Sequence, residues 1–151
     1  MEDQSSEPRH KVTVRPLNRF NWEEATQLEV HDYQRDFMPS VLHTIAQSKY
    51  ENIQPFGIFL EGEMVGFISY GEFSGVCWVN RILVARDFQQ KGIGREALGI
   101  VLDKLRKHPQ CKEIRTSFSK QNAMAEYLFS YMGFRKLSDA NDGEIVMVFR
   151  G

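Results

Sequence analysis

From Gln89 to Arg95 the chain reads Gln-Gln-Lys-Gly-Ile-Gly-Arg, two glycines one residue apart with a cation on either side. At the start of a helix, such a segment can hold an anion. The first-turn N–H groups have no partner inside the helix, and the helix dipole adds roughly half a positive charge there. Gly92 and Gly94 take Cβ atoms out of the approach to the backbone, while Lys91 and Arg95 bring full charge. The chemistry is that of a pyrophosphate cradle. It is not the dinucleotide fingerprint G-x-G-x-x-G, because position 97 is Ala and no second strand with an acidic ribose ligand follows at the right distance. Nor is it a Walker loop, because Gly94 is followed by Arg95-Glu96 rather than by Lys and Ser or Thr.

The flanking elements suit this use. Val76 to Ala85 is an apolar, strand-like run, and Ala97, Leu98, Val101, Leu102 and Leu105 then recur at the spacing of one buried helix face. Upstream, Lys11 to Pro16 alternates as a first strand. Asn21 caps a helix with Glu23 and Glu24 in its first turn, expected to run to about Val30. A second helix starts near Pro39-Ser40, carries Val41, Leu42 and Ile45, and ends near Asn52. Pro55 to Leu60 and Met64 to Tyr70 form a hairpin around Glu61-Gly62-Glu63. His108-Pro109-Gln110 breaks the cradle helix before a strand from Lys112 to Phe118. A helix from Lys120 to Met132 is stopped by Gly133, and strands Gly133 to Leu137 and Glu144 to Phe149 close the chain around an Asp139–Gly143 turn. The order β-α-α-β-β-β-α-β-α-β-β is an α/β (α+β) arrangement around one mixed sheet. Met1 to His10 reads as a disordered polar segment and 11–151 as a single domain.

Composition narrows the function classes. The 151 residues are 42% apolar and 26% charged with a net charge of −1, so no whole-molecule field draws nucleic acid or an acidic membrane. No apolar run approaches the ~18 residues of a membrane span, and the first residues lack signal-peptide character. Cys77 and Cys111 read as separate buried thiols of a reducing compartment, which places the protein in the cytoplasm. His10, His31, His43 and His108 have no ligand spacing, and no metal is expected.

Gln89-x-x-Gly92-x-Gly94 resembles the acyl-CoA pyrophosphate loop of the GNAT N-acetyltransferase superfamily, and the element order matches that fold from about residue 11 to 150. Met64-Val-Gly-Phe67 is similar to its third strand. Asn122-Ala-Met-Ala125 through Met132-Gly-Phe134 resembles its N-x-x-A-x-x-L-Y-x-x-x-G-F element. Three stretches look most like bacterial spermidine and small-amine acetyltransferases: Gln34-x-x-Phe37-Met-Pro-Ser40, Pro55-Phe-Gly-Ile-Phe59 and Trp78-Val-Asn-Arg81-Ile-Leu-Val84. The resemblance implies a GNAT fold, with a mostly antiparallel mixed sheet of about six or seven strands flanked by about four helices. It also implies acetyl-CoA as co-substrate. Leu83 and Val84 would bind the pantetheine arm, and Gln89, Gln90, Lys91, Gly92, Ile93, Gly94 and Arg95 the pyrophosphate. Asn122 and Phe129 would also lie on the cofactor. A homodimer through the final strands is a further implication.

The same resemblance exposes a chemical gap. An attacking amine must be neutral, and an ammonium of pKa ~10.4 is neutral in about one molecule in 2,500 at pH 7, a deficit of roughly 4.6 kcal/mol. Small-amine members of the superfamily often carry Asp or Glu where this chain has Asn80, and the usual acid, a Tyr, falls at Phe129. Asn80 can orient water but cannot take a proton. Glu72, Asp36 and Tyr131 are the substitutes, beside a mechanism resting on orientation. Tyr127 and Tyr131 lie about 160° around the helix from Asn122 and Phe129. The acidic segment Asn21 to Asp36 suits a cationic amine, with Glu24, Tyr33 and Asp36 as substrate candidates. A small amine, first of all a polyamine such as spermidine, is the expected acceptor. The alternatives are a protein, peptide or antibiotic amine, or a CoA-binding module without turnover.

Overall fold

The structure is a computed structural model that describes residues 11–35, 39–139 and 143–151. The expectations for Met1 to His10 and for Asp36 lie outside the described residues. Seven strands form one sheet: β1 (Val12–Pro16), β2 (Ile53–Leu60), β3 (Glu63–Phe73), β4 (Val76–Val84), β5 (Glu113–Ser119), β6 (Phe134–Asp139) and β7 (Glu144–Phe149). Their spatial order is β1-β2-β3-β4-β5-β7-β6. Every neighbouring pair is antiparallel except β4 and β5, which run parallel. Five α-helices accompany the sheet: α1 (Trp22–Thr26), α2 (Asp32–Arg35), α3 (Val41–Ser48), α4 (Ile93–Arg106) and α5 (Ala123–Tyr131).

One face of the sheet carries the main core. The apolar stripe of α4, from Ile93 through Leu105, and Ala125 and Phe129 of α5 pack on Ile58, Val65, Ile68, Val79, Ile114 and Met147. The opposite face has a smaller cluster in which Ala25 of α1 meets Phe59, Met64 and Phe67, with Val41 and Leu83 at its margin. The expected helices and strands are present with small boundary shifts, and two differences concern the site. The first helix stops at Thr26 instead of reaching Val30. Gln27 and Leu28 donate to Glu24 and Ala25, the tight i→i+3 pattern that closes a helix. The four-residue helix α2 is an addition to the expected set.

Cys77 and Cys111 correct a second expectation. They are paired, with Cα atoms 5.5 Å apart, and not separate thiols. The cause is the parallel docking of β4 on β5, which sets Cys77 opposite Ile114 and brings Lys112 N to Gly75 O at 2.8 Å.

The feature that makes a site is where that parallel pairing ends. Val79 and Thr116 are the last partners of β4 and β5. Thr116 Oγ1 donates to Val79 O at 2.8 Å and pins the apex. Beyond it the strands separate. At the same level β4 carries a bulge against β3, because Ser69 pairs with Arg81 and Tyr70 with Val79, leaving Asn80 as the extra residue. Gly66 lets β3 approach β4 below the opening. A Cβ there would sit 2.5 Å from Leu83 O.

Candidate active site

The opening between β4 and β5 widens into a cleft of about 750 Å³, within the range of small-molecule sites. Ile82, Leu83 and Val84 form one wall, the Gln89–Arg95 loop one end, and Asn122, Met124 and Tyr127 the other wall. Past Val79, the β4 edge has no ladder partner on β5, so peptide N–H and C=O groups face the cleft. They are ready partners for an amide-bearing chain.

The loop end is built as an anion seat. Gly92 is the N-cap of α4 with φ +82°, a left-handed geometry that glycine adopts without a steric penalty, and no side chain caps this end. The first helical bond runs from Glu96 N to Gly92 O, so the N–H groups of Ile93, Gly94 and Arg95 have no partner in the helix. The 14-residue α4 therefore presents its positive end, uncapped, beside Lys91 and Arg95. Two other helices are capped by side chains, with Ser40 Oγ accepting from His43 N in α3 and Asn122 Oδ1 from Ala125 N in α5, whereas Asn21 makes no cap bond to α1 and accepts from Asn18 N instead. The guanidinium of Arg95 stacks over Tyr131 at 4.8 Å, which steadies the cation at the rim.

The side chain of Gln89 holds the loop in place. Its side-chain Nε2 donates to Val84 O at 2.8 Å and to Gln34 Oε1 at 3.0 Å, tying the loop to β4 and to α2. Gln34, buried in α2, also donates to Met124 Sδ at 3.2 Å and so bridges the two walls. Val30, Phe88 and Met124 line the cleft without a role assigned from the sequence, and Gln34, quoted there only within a family-like stretch, joins them from a four-residue helix that leaves no periodic signal.

A second, smaller pocket of about 70 Å³ opens on the other side of the split strands and meets the cleft at Ile82, Asn122 and Ala125. Asn80, Arg81, Ser117, Ser119 and Glu144 supply its polar lining. Burial lowers the pKa of Arg81 from its ordinary value, and the nearby Glu144 carboxylate acts to raise it. Phe129 lines this pocket and not the large cleft, stacked on Phe118 and edge-to-face with Phe134 in the core.

The structure brings together Leu83, Val84, Asn122 and every residue from Gln89 to Arg95 along one cleft, and it places Asn80 in the adjoining smaller pocket. It leaves Glu72 and Tyr131 elsewhere. Glu72 Oε2 accepts from Gly75 N at 2.8 Å, capping the β3–β4 turn at the paired end of the sheet. Tyr131 is exposed under Arg95, as the helical angle predicts. Glu24 is exposed on α1 and lines neither pocket. Tyr33 is also exposed, with its hydroxyl donating to Met124 Sδ at 3.6 Å. Sequence reasoning missed Glu144, because only the insertion of β7 between β5 and β6 carries it to the pocket.

Residues 17–134 match the family described as the acetyltransferase (GNAT) family. The chain belongs to that family. It is accordingly an N-acetyltransferase. It is 32% identical over 104 residues to the spermine/spermidine N(1)-acetyltransferase of Bacillus subtilis strain 168, covering 63% of this chain and 68% of that protein. Among solved structures, the PaiA N-acetyltransferase of Thermoplasma acidophilum in complex with coenzyme A superposes with a TM-score of 0.70 at 16% identity, over 93% of this chain and 99% of that one. The ribosomal-protein-S18-alanine N-acetyltransferase of Escherichia coli gives 0.72 at 23% identity, over 91% and 92%. These two likenesses show the fold. No helix among the described residues is long and apolar enough to cross a membrane.

Proposed function

We propose that this acetyltransferase moves the acetyl group of acetyl-CoA to a primary amine of a small molecule, with a polyamine such as spermidine as the first candidate. The observation that carries the reading is the junction of two pockets at the β4/β5 split, one ending in an uncapped, cationic helix N-terminus and the other small and polar. The cleft fits CoA by chemistry: backbone amide partners along β4 for the pantetheine arm, and the Gly92–Arg95 N–H groups with Lys91 and Arg95 for the pyrophosphate. The similarity to a spermine/spermidine acetyltransferase supports the acceptor class.

Acetyl-CoA supplies the activated acyl group when bound. The chain's own contribution is placement. The unpaired N–H groups of β4 past Val79 are donors for a carbonyl oxygen on which charge builds, and the two pockets hold the partners in line. Orientation of this kind is worth ~7 kcal/mol or more, enough to offset the roughly 4.6 kcal/mol of amine deprotonation. Among the described residues, neither pocket is lined by a carboxylate other than Glu144, and Tyr127 is the only lining tyrosine. Tyr127 stands exposed at the cofactor rim, so we assign proton traffic to water. The test is thiol release from acetyl-CoA with spermidine, spermine and a series of mono-amines. Release is expected with the polyamines, and acetyl-CoA binding without release by any amine would overturn the reading.

A further inference from the structure

The smaller pocket holds polar atoms that the fold itself leaves unused. Asn80 Oδ1 and Arg81 Nε are both buried without a hydrogen-bond partner among the described residues. Folds avoid this arrangement unless a ligand or water completes it. The β4 bulge produces it. Val79 points into the core on the α4 side, and the bulge turns Asn80 and Arg81 together toward the opposite face, where Arg81 stands beside Ser69. Strand alternation brings a carboxylate to the same face. Phe118 and its partner Ile145 point into the core, so Ser119 and its partner Glu144 point the other way. Asn80 and Glu144 therefore stand on opposite sides of the pocket, separated by the split and by β5.

The charges sort themselves consistently. Among the described residues, Arg81 and Glu144 are the only charged ones lining the pocket. Arg81 Nη1 donates to Asn80 O at 2.9 Å, and its guanidinium lies close enough to Glu144 for the carboxylate to act on it. Within the acidic segment Asn21 to Asp36, Glu29 lies 3.4 Å from Arg86 and Asp32 lies 4.0 Å from Arg35, while Glu24 is exposed and lines neither pocket.

We propose that this pocket reads a linear amine at two points, with Asn80 Oδ1 accepting a hydrogen bond from the reacting nitrogen and the Glu144 carboxylate receiving a second cationic nitrogen further along the chain. The inference rests on the amine reading above and adds to it the residues that prefer a di- or polyamine to a mono-amine. With one strand spacing of about 4.8 Å between β5 and β7, plus the wider split, β4 and β7 stand about 10 Å or more apart, a gap that a few methylenes and the two side chains span. A mono-amine has nothing to offer Glu144.

The test compares wild type, Glu144→Gln, Glu144→Asp and a charge-matched control, Asp103→Asn, which removes a carboxylate from the exposed side of α4. Calorimetry would measure spermidine and propylamine binding to each CoA-saturated protein, and thiol release would give the KM values. Glu144→Gln should raise the spermidine Kd and KM by about tenfold or more. Acetyl-CoA and propylamine values should stay unchanged in that variant, and Glu144→Asp should recover part of the loss. Asp103→Asn should match wild type. Unchanged spermidine binding in Glu144→Gln, an equal loss for propylamine, or an equal loss in Asp103→Asn overturns the two-point site and leaves the transferase reading intact. An Asp variant that binds acetyl-CoA normally but recovers nothing also overturns it. If wild type binds acetyl-CoA and no amine at all, the amine reading fails and the two-point site fails with it.

Discussion

Gly92 concentrates the argument in one residue. Its φ of +82° turns the chain into α4 and leaves the space before the first-turn N–H groups open, with only Arg95 Nη2 near where a Cβ would stand, at 3.7 Å. A glutamate there would set a carboxylate against the anion seat and force a left-handed geometry costing about 1–2 kcal/mol. Gly92→Glu should therefore raise the acetyl-CoA Kd by about a hundredfold while the protein still folds, as calorimetry and circular dichroism would show together. Thr116 is a quieter test. Its hydroxyl is buried and bonds Val79 O at the apex of the split, so Thr116→Val should cost about 1–3 kcal/mol in urea unfolding by orphaning that carbonyl. The glycine was legible in sequence because its type and spacing are themselves the mechanism. Glu144 was not, because nothing near it in the chain records that β5 will be its neighbour. Glu72 looked suitable in sequence, but its carboxylate is used up on the backbone of its own turn.

At the scale of elements, the stripe on α4 and the Glu61-Gly62 hairpin tip were readable because each is a local rule. The helix buries every third or fourth residue, and Glu61 and Gly62 both take positive φ, of 50° and 90°, as a two-residue hairpin loop requires. The helix α2 was not readable. Four residues have no period, and Gln34 is held by Gln89 and Met124, partners far away in the sequence. The contact between β3 and β4 gives the prediction at this scale. Gly66→Ala would push a methyl group into Leu83 O and shift the strand that lines the cleft. It should destabilise the protein by about 2 kcal/mol or more, lowering Tm by about 5 °C in a thermal melt, and it should also raise the acetyl-CoA KM.

Across the whole molecule, one sheet serves two purposes. The α4/α5 face holds the main core, while the other face carries the smaller cluster and, where β4 parts from β5, the polar pocket. Element order was enough to suggest the fold, but the placement of β7 inside β6 is a long-range pairing that sequence alone does not fix. Leu98 belongs to the main core but lines neither pocket, so stability can be perturbed there without touching the site. Leu98→Ala, at a fully buried position in α4, should cost about 2–5 kcal/mol by urea denaturation and leave the KM values of the remaining folded protein unchanged. The central claim is that the uncapped end of α4 holds acetyl-CoA for transfer to an amine waiting across the split. Amine-dependent CoA release, followed with a thiol reagent in wild type and Gly92→Glu at the same acetyl-CoA and spermidine concentrations, tests it most directly. Release by wild type that is lost in the variant is the predicted result. Equal release from both proteins, or none from wild type with any amine, would contradict it.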